Sequence, residues 1–172
     1  MGSGEEIFDV VDDNDQVIGE APRSVVHEEG LRHRAIHVFV FNELGELFLQ
    51  KRSMLKDCFP GCWDSSASGH LDQGESYDAC AARELKEEIG LELNRPLKKH
   101  LKNEACDETG QEYVWLYSCR SEGPFVLQES EVEKAEWVSR EAIDQWIKQK
   151  PEEFAPGFIL LWNRFWLEGC QP

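Results

Sequence analysis

The chain has 172 residues, enough for one domain with a sizeable core, and no Pro- or Ser-rich linker or shift in composition divides it. Lys and Arg total 18 against 34 for Asp and Glu, and the net charge of −16 excludes a nucleic-acid polymer or an anionic membrane as partner over most of the surface. A small polyphosphate meets the same repulsion, so such a ligand needs a few basic side chains and metal at its site.

No apolar run is long enough to span a membrane, and the opening MGSGEEIFDV lacks the regions of a signal peptide. Of the six cysteines only Cys58 and Cys62 lie close together, with no second pair to complete a zinc pattern. The expected setting is a reduced cytoplasm. Residues 1–172 read as a single domain, with 1–4 left out of the fold.

Residues 6–22 alternate apolar and polar on both sides of Asp12-Asp13-Asn14-Asp15, which predicts a hairpin with a solvated acidic turn; the Gly and terminal Glu of a calcium loop are missing. A short helix follows over residues 23–30. AIHVFVFN and ELFLQKR read as two strands joined by a turn at residues 43–45, and residues 63–68 as a short strand. Ser76 caps a helix that Gly90 stops, with Ala81, Ala82, Leu85 and Ile89 on its apolar side. Strands are expected near residues 97–106, 112–119 and 134–138, then a helix over 140–148 and an apolar helix after Pro156. Without regular βαβ alternation this is an α+β layered domain.

The stretch GHLDQGESYDACAARELKEEIGL, residues 69–91, carries Gly69, then Glu75 after five residues, then after seven more Arg83-Glu84-Leu85-Lys86-Glu87-Glu88-Ile89-Gly90-Leu91. It fills the nine fixed positions of G-x5-E-x7-R-E-U-x-E-E-x-G-U, with U aliphatic, and so resembles the box of the Nudix hydrolases. The resemblance implies a Nudix fold, a mixed β-sheet sandwiched between α-helices.

On a helix Glu84, Glu87 and Glu88 stand at i, i+3 and i+4, so their carboxylates share one side, apart from the core face. Oxygen ligands without His or Cys on that face favour magnesium, with manganese the alternative. Arg83, four residues before Glu87, can brace it, with Glu75 a second partner. The resemblance adds the Gly69 carbonyl to the metal shell. The box leaves the general base open: Glu131, in the loop QESEVEKAEW, is the first candidate and Glu88 the other.

From LRHRAIHV through the box the chain is also similar to isopentenyl-diphosphate isomerases, and as a whole to the isomerase-like bacterial Nudix hydrolases. The isomerases carry a catalytic Cys where this chain has Ser68, a weaker acid, which shifts the expectation to hydrolysis. By that resemblance Arg52 and Lys56, assisted by Lys51, contact the diphosphate. His33 and His70, with Glu112 and with His27 one residue out of step, match a second metal site. Trp63, Trp115 and Trp162 are expected in core packing rather than stacked on a substrate. The apolar final segment closes the core or forms a homodimer face.

The sequence therefore predicts a magnesium-dependent hydrolase that cleaves the diphosphate linkage of a small metabolite, a nucleoside diphosphate linked to X, by metal-activated water. Two alternatives stand beside it, a prenyl-diphosphate isomerase and a noncatalytic diphosphate-binding Nudix module.

Overall fold

The structure, a computed structural model, describes residues 5–172; residues 1–4, set apart in the sequence, lie outside the described residues. It opens with the predicted hairpin, β1 (Ile7–Val11) and β2 (Val17–Pro22), followed by α1 (Arg23–Glu29). Then come β3 (His33–Phe41), β4 (Leu47–Arg52), β5 (Trp63–Asp64), β6 (Ala67–His70) and α2 (Tyr77–Ile89). The second half holds β7 (Lys98–Asn103), β8 (Glu112–Arg120), β9 (Val132–Val138), α3 (Arg140–Gln149) and α4 (Pro156–Leu167).

β3 is the axis. It pairs in parallel with β8 from His33↔Glu112 to Phe41↔Arg120 and antiparallel with β6 from Ala35↔His70 to Val38↔Ala67. Its alternating side chains feed two cores. Ala35, Phe39 and Phe41 pack with Phe158, Leu161, Trp162 and Phe165 of α4, while Ile36, Val38 and Val40 pack with Ala81, Leu85 and Ile89 of α2. The mixed sheet is thus sandwiched between helices, as expected.

Several local expectations change. The two strands joined by a turn form as expected, but they pair only at Phe41↔Leu47, because β4 goes on to pair with β9 and β5 while β6 takes the place beside β3. The single strand expected over residues 63–68 is two, and the second carries Gly69. Ala82 is exposed, and Cys80 takes its place in the core. Trp63 and Trp162 are core residues, and Lys99 Nζ sits 4.2 Å above the Trp115 ring.

The acidic turn is not simply solvated. Asp15 is only 8% exposed and accepts hydrogen bonds from Arg34 Nε at 2.6 Å, Tyr77 Oη at 2.9 Å and Lys102 Nζ. It ties the hairpin to β3, α2 and β7. The hairpin also braces the loop before α2: Gln73 N donates to Ile7 O and Gly74 N to an Asp9 carboxylate oxygen.

Candidate functional site

The helix of the box forms for the reasons its sequence offers. Ser76 accepts a hydrogen bond from Ala79 N, and Gly90 ends the helix with φ 68°, a left-handed conformation that favours glycine. Gly90 also has a neighbour that excludes a side chain, since a β-carbon there would lie 2.9 Å from Val126 Cβ.

One cleft of about 390 Å³ gathers Glu84, Glu87 and Glu88 from this helix with Gly69, Arg52, Lys56 and Glu131. Glu84 lies against Gly69 so closely that a β-carbon on Gly69 would come within 2.7 Å of Glu84 Cγ and collide with the carboxylate itself. Glu88 is 3% exposed; it accepts from Gln50 Nε2 at 2.8 Å and from Ser68 N at 3.1 Å. Glu87 stays more exposed. Burial and the neighbouring Glu88 charge push the Glu84 carboxyl up to about 8, and burial pushes Glu88 up to about 7. Both shifts favour a proton or a nearby cation on this pair of carboxyls.

Arg83 organises the group. It grips Glu75 with two bonds, Nε to Oε1 and Nη2 to Oε2, both 2.9 Å, and donates from Nη1 to Glu84 at 2.7 Å and Glu87 at 3.1 Å. A further bond runs from Nη2 to the His70 carbonyl at 3.0 Å. The bidentate partner expected at Glu87 is therefore Glu75, and Glu87 keeps a single bond.

The loop carrying Glu131 is laid along the end of α2: Val126 N donates to Ile89 O and Gln128 N to Glu88 O, each at 2.9 Å. Ser53 N donates to Glu131 O at 2.9 Å, and the Glu131 carboxylate pairs with Lys56 Nζ. Arg52 is held by the Cys58 carbonyl and Asp64, each at 3.1 Å. Lys51 is a correction. Adjacent strand residues point to opposite faces, so with Arg52 turned to the cleft Lys51 lies outside its lining and pairs with Glu133 at 3.1 Å.

The NUDIX domain profile matches residues 31–158. The chain belongs to the Nudix hydrolase family. An uncharacterized Nudix hydrolase of Yersinia pestis is 34% identical over 155 residues, covering 88% of this chain and 80% of its own, and the Escherichia coli Nudix hydrolase YfcD is 34% identical over 151 residues, covering 88% and 81%. Among solved structures, DR0079 from Deinococcus radiodurans aligns with a TM-score of 0.75 at 26% identity over 84% of this chain and 90% of its own.

A second group of ligand-type side chains in this Nudix protein adjoins the first. His27, His33 and His70 bring a ring nitrogen each within 4.8 Å of one another. Glu112 Oε1 lies 2.8 Å from His70 Nε2 and 3.5 Å from His33 Nε2. The odd spacing of His27 is resolved by α1, which ends in a left-handed turn at Gly30 and brings the ring back to the sheet. Burial and the neighbouring His70 and His33 lower His27 to about 4, which keeps it neutral and able to ligate. Burial alone would push the Glu112 carboxyl up, but His70 and His33 hold it well below the usual range. His33 Nδ1 donates to the Leu31 carbonyl at 2.9 Å, and its buried Nε2, turned toward Glu112, has no hydrogen-bond partner. Phe8 stacks on His33 with planes 7° apart.

Sequence reasoning missed Gln50, Asp64 and Phe8. Gln50 and Asp64 were open to the alternation of β4 and β5, which pair at Gln50↔Asp64. Phe8 carried no signal, because its role depends on where the hairpin docks.

Proposed function

We propose that the chain is a magnesium-dependent hydrolase of the diphosphate linkage in a small metabolite, a nucleoside diphosphate linked to X. The observation that carries this is the packing of Glu84 on Gly69 beside the buried Glu88, a cradle of oxygen ligands that a β-carbon would fill. Glu84, Glu87, Glu88 and the Gly69 carbonyl suit magnesium or manganese. A divalent ion held by these residues would polarise a phosphoryl oxygen, offset charge on the diphosphate and make water a better nucleophile.

Arg52 and Lys56 meet the need for local cations and bind the diphosphate. Arg83, through Glu75, fixes the carboxylates so that they need not reorganise. Glu131 takes the proton of the attacking water, with Glu88 the other group in range. Lys56 pairs with Glu131, so a phosphate that draws Lys56 away leaves that carboxylate free to act as base.

His27, His33, His70 and Glu112 fit a second divalent ion, on the strength of the unpartnered His33 Nε2 facing Glu112. This pocket favours the isomerase-like branch of the family and keeps a prenyl-diphosphate isomerase as the second reading. Ser68 weighs against it, because its hydroxyl is a weaker acid than a thiol. We read residues 1–172 as one Nudix domain.

The test is a magnesium-dependent release screen across nucleotide sugars, dinucleotides, cofactors and prenyl diphosphates, with Glu87→Gln as control. Fold neighbours supply probes: a Shewanella oneidensis Nudix domain complexed with ADP-ribose and a Caenorhabditis elegans Ap4A hydrolase. Release lost in Glu87→Gln supports the hydrolase. Double-bond migration in isopentenyl diphosphate, or no turnover with magnesium bound, sinks it.

A further inference from the structure

We infer that Phe59 is the platform on which this site stacks the base of a nucleoside diphosphate. This rests on the diphosphate reading above and adds the group that recognises the rest of the substrate.

Among the described residues lining the cleft, the other phenyl ring, Phe158, is fully buried, whereas Phe59 is 49% exposed. Leaving an aromatic ring half in water forgoes hydrophobic stabilisation. Its backbone adds a second cost, a positive φ of 48° in the left-handed region that a bulky residue rarely adopts.

The surrounding loop fixes the backbone that carries the ring. Arg52 N donates to Cys62 O at 2.8 Å, Gly61 N to Arg52 O at 3.1 Å and Cys62 N to Phe59 O at 3.2 Å. Asp57, two residues before the ring, takes two bonds from Arg23 at 2.9 and 3.0 Å. Met54 Sδ lies 2.7 Å from where a β-carbon on Gly61 would be, which closes the base of the turn.

The same loop carries Lys56, three residues from Phe59, and its Cys58 carbonyl holds Arg52. The proposed diphosphate cations and a half-exposed aromatic ring are therefore carried by one hydrogen-bonded loop and the end of the strand before it. That is the layout needed for a ligand with phosphates at one end and a flat ring at the other. Stacking on a ring accepts any base, because every base has a π-face.

The experiment measures, in magnesium, binding of α,β-methylene ADP and α,β-methylene CDP against methylene diphosphonate by the full chain and by Phe59→Ala, Phe59→Leu and Phe59→Tyr. Loss of one base stack weakens binding by about tenfold. Phe59→Ala and Phe59→Leu are expected to lose that much affinity for both nucleotide analogues while methylene diphosphonate binds as before, and Phe59→Tyr to retain it. Unchanged nucleotide preference in Phe59→Ala overturns the inference alone, as does full retention in Phe59→Leu, which would mean apolar cover rather than stacking. If the unaltered chain binds no methylene diphosphonate, the diphosphate reading fails and takes this one with it.

Discussion

Gly69 and Glu84 share a space that admits no side chain between them: a β-carbon at Gly69 would sit inside the Glu84 carboxylate. The strand and the helix of the box are registered by this contact. Gly69→Ala is expected to displace Glu84 by about an ångström and to reduce kcat by about a hundredfold, with the fold retained. Magnesium titration by calorimetry, alongside the rate, checks it; unchanged magnesium affinity would contradict the role given to Glu84.

Arg83 makes five bonds to Glu75, Glu84, Glu87 and the His70 carbonyl. Lysine keeps the charge but loses the planar fork. Arg83→Lys is expected to lower kcat with little change in KM. The loss of charge-assisted hydrogen bonds should cost about 2 kcal/mol, read as a fall in Tm of several degrees.

Lys56 and Glu131 separate by kinetics. Lys56→Gln should raise KM, because it removes the proposed diphosphate contact. Glu131→Gln should lower kcat by about a hundredfold or more while magnesium binds as before. A full rate in Glu131→Gln would hand the base role to Glu88.

Replacing His70 should empty one ion site without emptying the other. Equilibrium dialysis with manganese is expected to give two ions for the unaltered chain and one for His70→Ala. Two ions bound by His70→Ala would remove the histidine cluster from the metal chemistry.

Asp15 sets a pH dependence away from the cleft. Burial alone would push its carboxyl up, but the bonds from Lys102, Arg34 and Tyr77 hold it below the ordinary value. A depressed folded-state pKa contributes stability that is present above the unfolded value and lost as pH falls through the folded one. Thermal melts from pH 7 to pH 3 should therefore show a shallower acid decline in Asp15→Asn, which starts about 1–3 kcal/mol less stable at neutrality. Parallel curves would show that Asp15 carries no such linkage.

The parts of this molecule that were legible in the sequence are those whose physics is local. Ser76, Gly90 and the i, i+3, i+4 carboxylates announce the helix of the box by spacing alone. A run of β-branched and aromatic residues announces β3 and β4, and the period of two puts Lys51 and Arg52 on opposite faces. The departure of β4 from β3 was not legible, since it is decided by competition among β5, β6 and β9. Asp15 reads as one more acidic turn residue until Arg34, Tyr77 and Lys102 converge on it. Phe59 is half exposed because of a backbone turn that FPGCW does not spell out.

The loop bearing Glu131 takes its register from the end of α2, with Val126 bonded to Ile89, Gln128 bonded to Glu88, and Val126 packed where Gly90 lacks a side chain. The helix that supplies the carboxylates therefore also measures out the distance to the proposed base. Residues inserted before Val126 would be absorbed as slack, whereas one inserted between Gln128 and Glu131 would carry the carboxylate past the cleft. Grafting a foreign loop onto this scaffold succeeds or fails on those three residues of spacing.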